Sequence, residues 1–176
     1  MKNLLSGGLA VALLAGAAFG QLATDIGSID GSEATYNRAL EGFSGLSGVG
    51  TNVFFDVRPF YVNTTGTYDI LSTQTDDGFL FVYAGSFNPA NPTANGIGSD
   101  DDGSGGIGTS DVVGLNLTAN TQYYAVTTTF DNGVTMDYRN DYYGPQGASV
   151  IFGNIPAPAS VALLGLGGLV AGRRRR

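Results

Sequence analysis

The sequence predicts an all-β fold, a single jelly-roll-like β-sandwich with an apolar helical segment at each end. Three observations carry that expectation. Short runs of β-branched and aromatic residues recur at roughly ten-residue spacings, divided by Gly, Asp, Asn and Pro clusters, as in a sandwich. Between the two terminal segments no window places apolar residues at helical spacing over several turns. The 134 residues from 21 to 154 suffice to bury about two thirds of their unfolded surface in one core.

Taken in order, Lys2, an apolar stretch over residues 4–19 and small residues at Ala18 and Gly20 match a secretory signal peptide over residues 1–20, cut after Gly20. Residues 24–50 are rich in Gly and Ser and read as a lead-in with one short strand at Tyr36-Asn37-Arg38-Ala39-Leu40. In residues 53–62, Val53, Phe55, Val57 and Tyr61 alternate with Asp56 and Arg58, the period-two pattern of a half-buried strand. Pro59 lacks a backbone donor and marks an edge or bulge there. Asn63-Thr64-Thr65-Gly66 is a turn, and residues 67–73 return as the next arm of a meander. After Asp76-Asp77-Gly78, residues 79–83 are apolar at every position, which suits a strand covered on both faces at the centre of a sheet.

Residues 84–108 then form a long connection rich in Pro, Asn, Asp and Gly, a length that is often functional. Residues 109–117 and 122–130 read as two strands. Asp131-Asn132-Gly133 supplies a hairpin turn, and residues 136–143 and 148–152 close the fold.

All 15 acidic residues lie between Asp25 and Asp141, with only Arg38, Arg58 and Arg139 among them, so the central region is strongly acidic. Nucleic acid is excluded as a partner, because phosphate binding needs clustered Lys and Arg. The absence of His and Cys removes Ser-His-Asp and Cys-His catalysis, disulfides and the usual zinc sites. What remains for an enzyme is a carboxylate pair, Asp76 with Asp102, serving a secreted hydrolase of extracellular polysaccharide. The fold-wide reading is non-enzymatic.

The candidate metal site is an acidic loop. Counted as a twelve-residue calcium loop, Asp100, Asp102, Ser104 and Asp111 fall at positions one, three, five and twelve, with Gly105 at six. Asp at the last position and flanks without helices depart from the usual pattern, and a solvated acidic loop is the competing reading. Tyr123, Tyr124, Tyr138, Tyr142 and Tyr143 are candidates for a sugar-stacking platform.

Residues 155–176 close the chain with Pro156-Ala157-Pro158, an apolar run from Val161, and Arg173, Arg174, Arg175 and Arg176. The prolines end the folded part. About 18 residues of helix span roughly 27 Å, just short of a hydrocarbon core, and the arginines hold its end on the cytoplasmic side. This order of parts resembles the PEP-CTERM sorting signal of exported bacterial proteins, with Ala157 standing where that family usually has Glu. The resemblance implies signal peptidase and an exosortase-type enzyme as partners and a transient stay in the inner membrane. It also implies delivery to the cell surface or exopolysaccharide matrix.

The exported region over residues 21–154 carries a second resemblance. Tyr36-Asn37-Arg38, the run from Asp77 through Pro89, Asp100 to Asp102, the run from Leu117 through Thr127, and Gly144-Pro145 are similar to the pre-peptidase C-terminal type of accessory domain. That resemblance implies a sandwich that binds or displays, without turnover.

Overall fold

Alternating strand-forming residues between Phe19 and Phe152 pair into two antiparallel sheets. In the computed structural model, which describes residues 19–156, the strands are β1 (Phe19–Ile29), β2 (Thr35–Tyr36), β3 (Val53–Val62), β4 (Gly66–Gln74) and β5 (Gly78–Ala84). They continue with β6 (Gly96–Asp100), β7 (Thr109–Leu117), β8 (Tyr123–Thr129), β9 (Met136–Pro145) and β10 (Val150–Phe152). One sheet runs β1-β9-β4-β7 and the other β10-β3-β8-β5-β6, with β2 paired to the start of β3. The flanking helices expected from the sequence lie outside the described residues.

Two strands escape the sequence reading. β1 occupies what reads as signal-peptide end and lead-in, because its Gly and Ser weaken the alternation; its first two residues, Phe19 and Gly20, pair with Pro145 and Gly144. β6 lies inside the long connection, where two glycines in five residues hide it. The predicted meander is also corrected. β3 and β4 lie in different sheets, as do β4 and β5, β7 and β8, and β8 and β9. Each strand has a face to bury, so a short turn carries the chain across the roughly 10 Å gap between sheets instead of folding it back beside its predecessor.

β5 confirms its own sequence. Leu80 and Val82 face the opposite sheet and join Phe60, Ile70, Val112, Leu117 and Tyr142 in the inter-sheet core. Phe79, Phe81 and Tyr83 point the other way into a second apolar layer. That layer is closed by residues 37–50 and the connection after β5, which supply Ala39, Phe43 and Phe87. Phe43 packs 5.6 Å from Phe81 and 5.4 Å from Tyr83, and Phe87 lies 4.8 Å from Tyr83. Gly96 is needed for this fit, since a Cβ there would enter the Phe43 ring.

β3 reverses the polarity that a half-buried pattern would give it. Phe55 and Val57 face the second apolar layer, and Asp56 and Arg58 face the opposite sheet. Arg58 Nε lies 2.8 Å from Asp25 Oδ1 of β1, whose carboxylate is 5% exposed. The Tyr138 hydroxyl donates to Asp56 Oδ2 at 2.6 Å, and a Cβ on Gly27 would occupy the place of that hydroxyl. Pro59 behaves as expected. It sits between the β2-paired and β10-paired stretches of β3, and its carbonyl accepts from Gly153 N–H at 2.7 Å on the side where its own donor is missing.

Removing Arg58 leaves Asp25 buried without its counter-charge. Arg58→Ala should cost about 3 kcal/mol in urea unfolding, and Asp25→Ala combined with it should cost less than the sum of the single changes. Strict additivity would show that the pair is not coupled.

Candidate functional site

The acidic loop between β6 and β7 is organised around backbone amides. Asp100, at the end of β6, accepts from Asp111 N–H at 2.6 Å through Oδ2. Asp111, on β7, accepts from Ser104 N–H at 2.7 Å. Asp100 thus satisfies a donor on the β7 edge that would otherwise be left open, and Asp111 satisfies one in the turn between β6 and β7. Because β6 and β7 belong to different sheets, the Asp100 contact also ties the two sheets together along this side of the sandwich. Beside it, Gly98, Asp100, Val112, Leu115 and Tyr123 line an open groove of about 560 Å³.

The carboxylates that do converge are Asp77, Asp101 and Asp102, each with one oxygen within 4.8 Å of the others. Of the four ligands expected from the loop, only Asp102 belongs to this group. Asp77 comes from the tight β4–β5 turn and Asp101 from the first residue after β6, whereas the twelve-residue count puts Asp101 at its non-ligating second position. Asp76, the expected partner of Asp102 in a carboxylate pair, is exposed and accepts from Asp77 N–H at 2.7 Å.

Arg38 supplies the opposing charge. It is 2% exposed, with its guanidinium carbon 4.6 Å from the centre of the Phe79 ring and 4.5 Å from that of Phe130. Its Nε donates to the Phe130 carbonyl and its Nη1 to the Ala39 carbonyl, both at 3.3 Å. Burial pulls this guanidinium below its usual value, and Asp101, Tyr36, Asp77 and Asp131 pull it back up. Burial pushes the Asp101 carboxyl up to about 6; Arg38 opposes the rise, while Asp102 and Asp77 add to it. Asp77 is raised in the same way, by burial first and then by Asp102 and Asp131.

The donor set fits a hard cation in part. Three carboxylates offer oxygen ligands of the kind calcium takes, and Asp101 Oδ1 is buried without a partner among the described residues. Calcium wants six to eight oxygens, so backbone carbonyls and water would have to complete the shell. The cluster can therefore hold a cation weakly, or hold a proton at mildly acidic pH.

The other expected sites resolve differently. Tyr123, Tyr138 and Tyr142 are buried between the sheets, and Tyr124 and Tyr143 lie on different sheets, so the five rings form no common platform. Period-two alternation assigns residues to two faces without saying which face is wet. Of the sorting motif, Pro156 is the last described residue; Ala157, Pro158 and Arg173 to Arg176 lie outside the described residues. Comparison with protein-family models, curated proteins and solved structures finds no match to the chain.

Two measurements probe this corner. The Asp101 carboxyl titrates higher in the folded chain than its ordinary value of about 3.9. Its contribution is therefore stabilising at low pH and is lost as pH rises from about 4 to about 6. Asp101→Asn should leave stability at pH 4 near that of the parent and raise it at pH 7 by about 1 kcal/mol, a figure reduced for partial exposure. Thermal unfolding across that pH range in chelator checks the sign. Separately, Asp100→Ala strips the acceptor from Asp111 N–H and should cost about 1–3 kcal/mol in urea unfolding, with faster amide exchange at Asp111.

Proposed function

We propose that this chain is an exported, surface-sorted, non-enzymatic protein of the cell envelope or exopolysaccharide matrix. One observation carries the reading: the chain closes on Pro156-Ala157-Pro158, an apolar run and four arginines, in the order of a PEP-CTERM-like signal. The charged start and apolar stretch before Gly20 suit entry through a signal peptidase. The described residues remain tied to the sandwich up to this segment. Ile155 N–H, one residue before Pro156, donates to Gln122 Oε1 at 2.8 Å, and β10 packs Phe152 5.3 Å from Tyr142.

The sandwich serves display or binding. Its strand order, β1-β9-β4-β7 against β3-β8-β5-β6, supports the jelly-roll reading and the likeness to accessory domains, although a fold alone does not set a function. Calcium outside the cell occupies the Asp77, Asp101 and Asp102 cluster weakly, in the range of about 0.1 to 1 mM typical of extracellular sites. A second reading, a polysaccharide hydrolase, draws on Asp101 alone, whose raised carboxyl beside Asp102 resembles a general acid paired with a carboxylate.

Deleting Arg173 to Arg176 should abolish correct sorting, since those charges resist translocation. Fractionation and mass measurement of the product check this; an unchanged location with an unchanged processed mass would refute the sorting signal. For the cation, melting the full chain in chelator and in millimolar calcium should show a gain of about 1.4 kcal/mol at ten times Kd. The gain should vanish in Asp101→Asn with Asp102→Asn. Hydrolysis of the matrix polysaccharide, lost in Asp101→Asn, would instead favour the second reading.

A further inference from the structure

The register sorts the loops into two poles. Phe19 pairs with Pro145, Val150 with Val62, Gly66 with Leu117, and Tyr123 with both Phe60 and Ala84. These pairs gather residues 63–65, 118–122 and 146–149 at one end of the sandwich, and none of them carries a charge. Ile29 pairs with Met136, Thr73 with Thr109, and Gly78 with Thr129 at the other end. The loops there, residues 30–34, 75–77, 101–108 and 130–135, hold seven of the fifteen acidic residues.

The chain leaves from the uncharged pole. Gln122 clamps the exit: its Nε2 donates to the carbonyls of Phe60 at 3.0 Å and Gly153 at 3.3 Å, while its Oε1 accepts from Ile155 N–H at 2.8 Å. From Ile155 to Val161, where the apolar run starts, the chain can reach at most about 21 Å even fully extended. A bilayer holding that run therefore lies close to this pole.

We propose that the uncharged pole is the face the protein turns to an anionic lipid surface, with the acidic pole held away from it. This rests on reading the tail as a membrane segment and adds an orientation to that reading. Two independent features agree. The clamp at Gln122 leaves too little chain for the sandwich to stand far off, and the potential of anionic headgroups, which decays within a Debye length of about 8 Å, repels the end that carries the carboxylates. Loops of Asn, Thr, Gln, Gly and Ser meet no such repulsion.

The lack of cysteine makes the test direct. The full chain is labelled with a fluorophore at Gln146→Cys, on the uncharged pole, or at Ser104→Cys, on the acidic pole, both exposed positions. Each is added to phosphatidylethanolamine–phosphatidylglycerol vesicles containing a headgroup spin-labelled quencher, and the vesicles are floated. The Gln146→Cys label should be quenched several-fold more strongly. Equal quenching, or stronger quenching at Ser104→Cys, in chain that floats overturns the orientation and leaves the tail reading standing. Chain that does not float overturns the tail reading and the orientation with it. The preference should shrink on phosphatidylcholine vesicles; one that persists undiminished there overturns charge as its cause.

Discussion

Five consecutive apolar residues in β5 constrain everything around them. A strand presents alternate side chains to opposite faces, so Phe79, Phe81 and Tyr83 need a cover as much as Leu80 and Val82 do. The opposite sheet covers one side. The other must come from outside the sandwich, and residues 37–50 with the segment after β5 are drawn across it. Tyr83 reinforces this by donating from its hydroxyl to the Pro92 carbonyl at 2.9 Å. The acidic corner follows from the same constraint, because the covering segment carries Arg38 over the Phe79 ring and so beside Asp77 and Asp101.

The space between the sheets is divided. One part is apolar, built on Phe60, Ile70, Leu80 and Tyr142. The other is polar, with Arg58 on Asp25, Tyr138 on Asp56, Asn140 donating to Thr127 at 3.0 Å, and Gln74 donating to Ser72 and Ser110. Buried polar contacts of this kind add little net stability, yet a slip of one residue would unpair those that join different strands, all but Gln74 on Ser72 within β4. They act as register keys. Their positions also matter: Arg58 and Asp25 close the side where β1 meets β3, and Asp100 on the Asp111 amide closes the side where β6 meets β7.

Charge is distributed along the strands as well as across them. The acids concentrate at the pole that holds the β4–β5 and β6–β7 turns, and the pole through which the chain exits has none in its loops. Burial first, and the neighbouring carboxylates after it, lift Asp77 and Asp101, so this pole is the place where a proton or a cation would relieve the cost of a buried charge. The exit pole instead spends its polar side chains on backbone partners: Gln122 on Phe60, Gly153 and Ile155, and Asn63 Oδ1 accepting from Ser149 N–H at 2.7 Å.

Local pattern alone determined that this chain is built of strands, where most of them run, that residues 79–83 would be covered on both faces, and that Pro59 would fall at a break in one of β3's two ladders. These are one-dimensional properties, fixed by side-chain period and by the missing proline donor. Only the tertiary structure decided which face of β3 is inside. Phe55 and Val57 are apolar and Asp56 and Arg58 charged, but an aromatic cover on one side and a paired Asp25 and Tyr138 on the other invert the ordinary assignment. It likewise decided that short turns cross between sheets and that Asp77 joins Asp101 and Asp102, residues more than twenty positions apart in the chain. Alternation encodes two faces without naming the inner one, and proximity across a sandwich depends on partners that no local window contains.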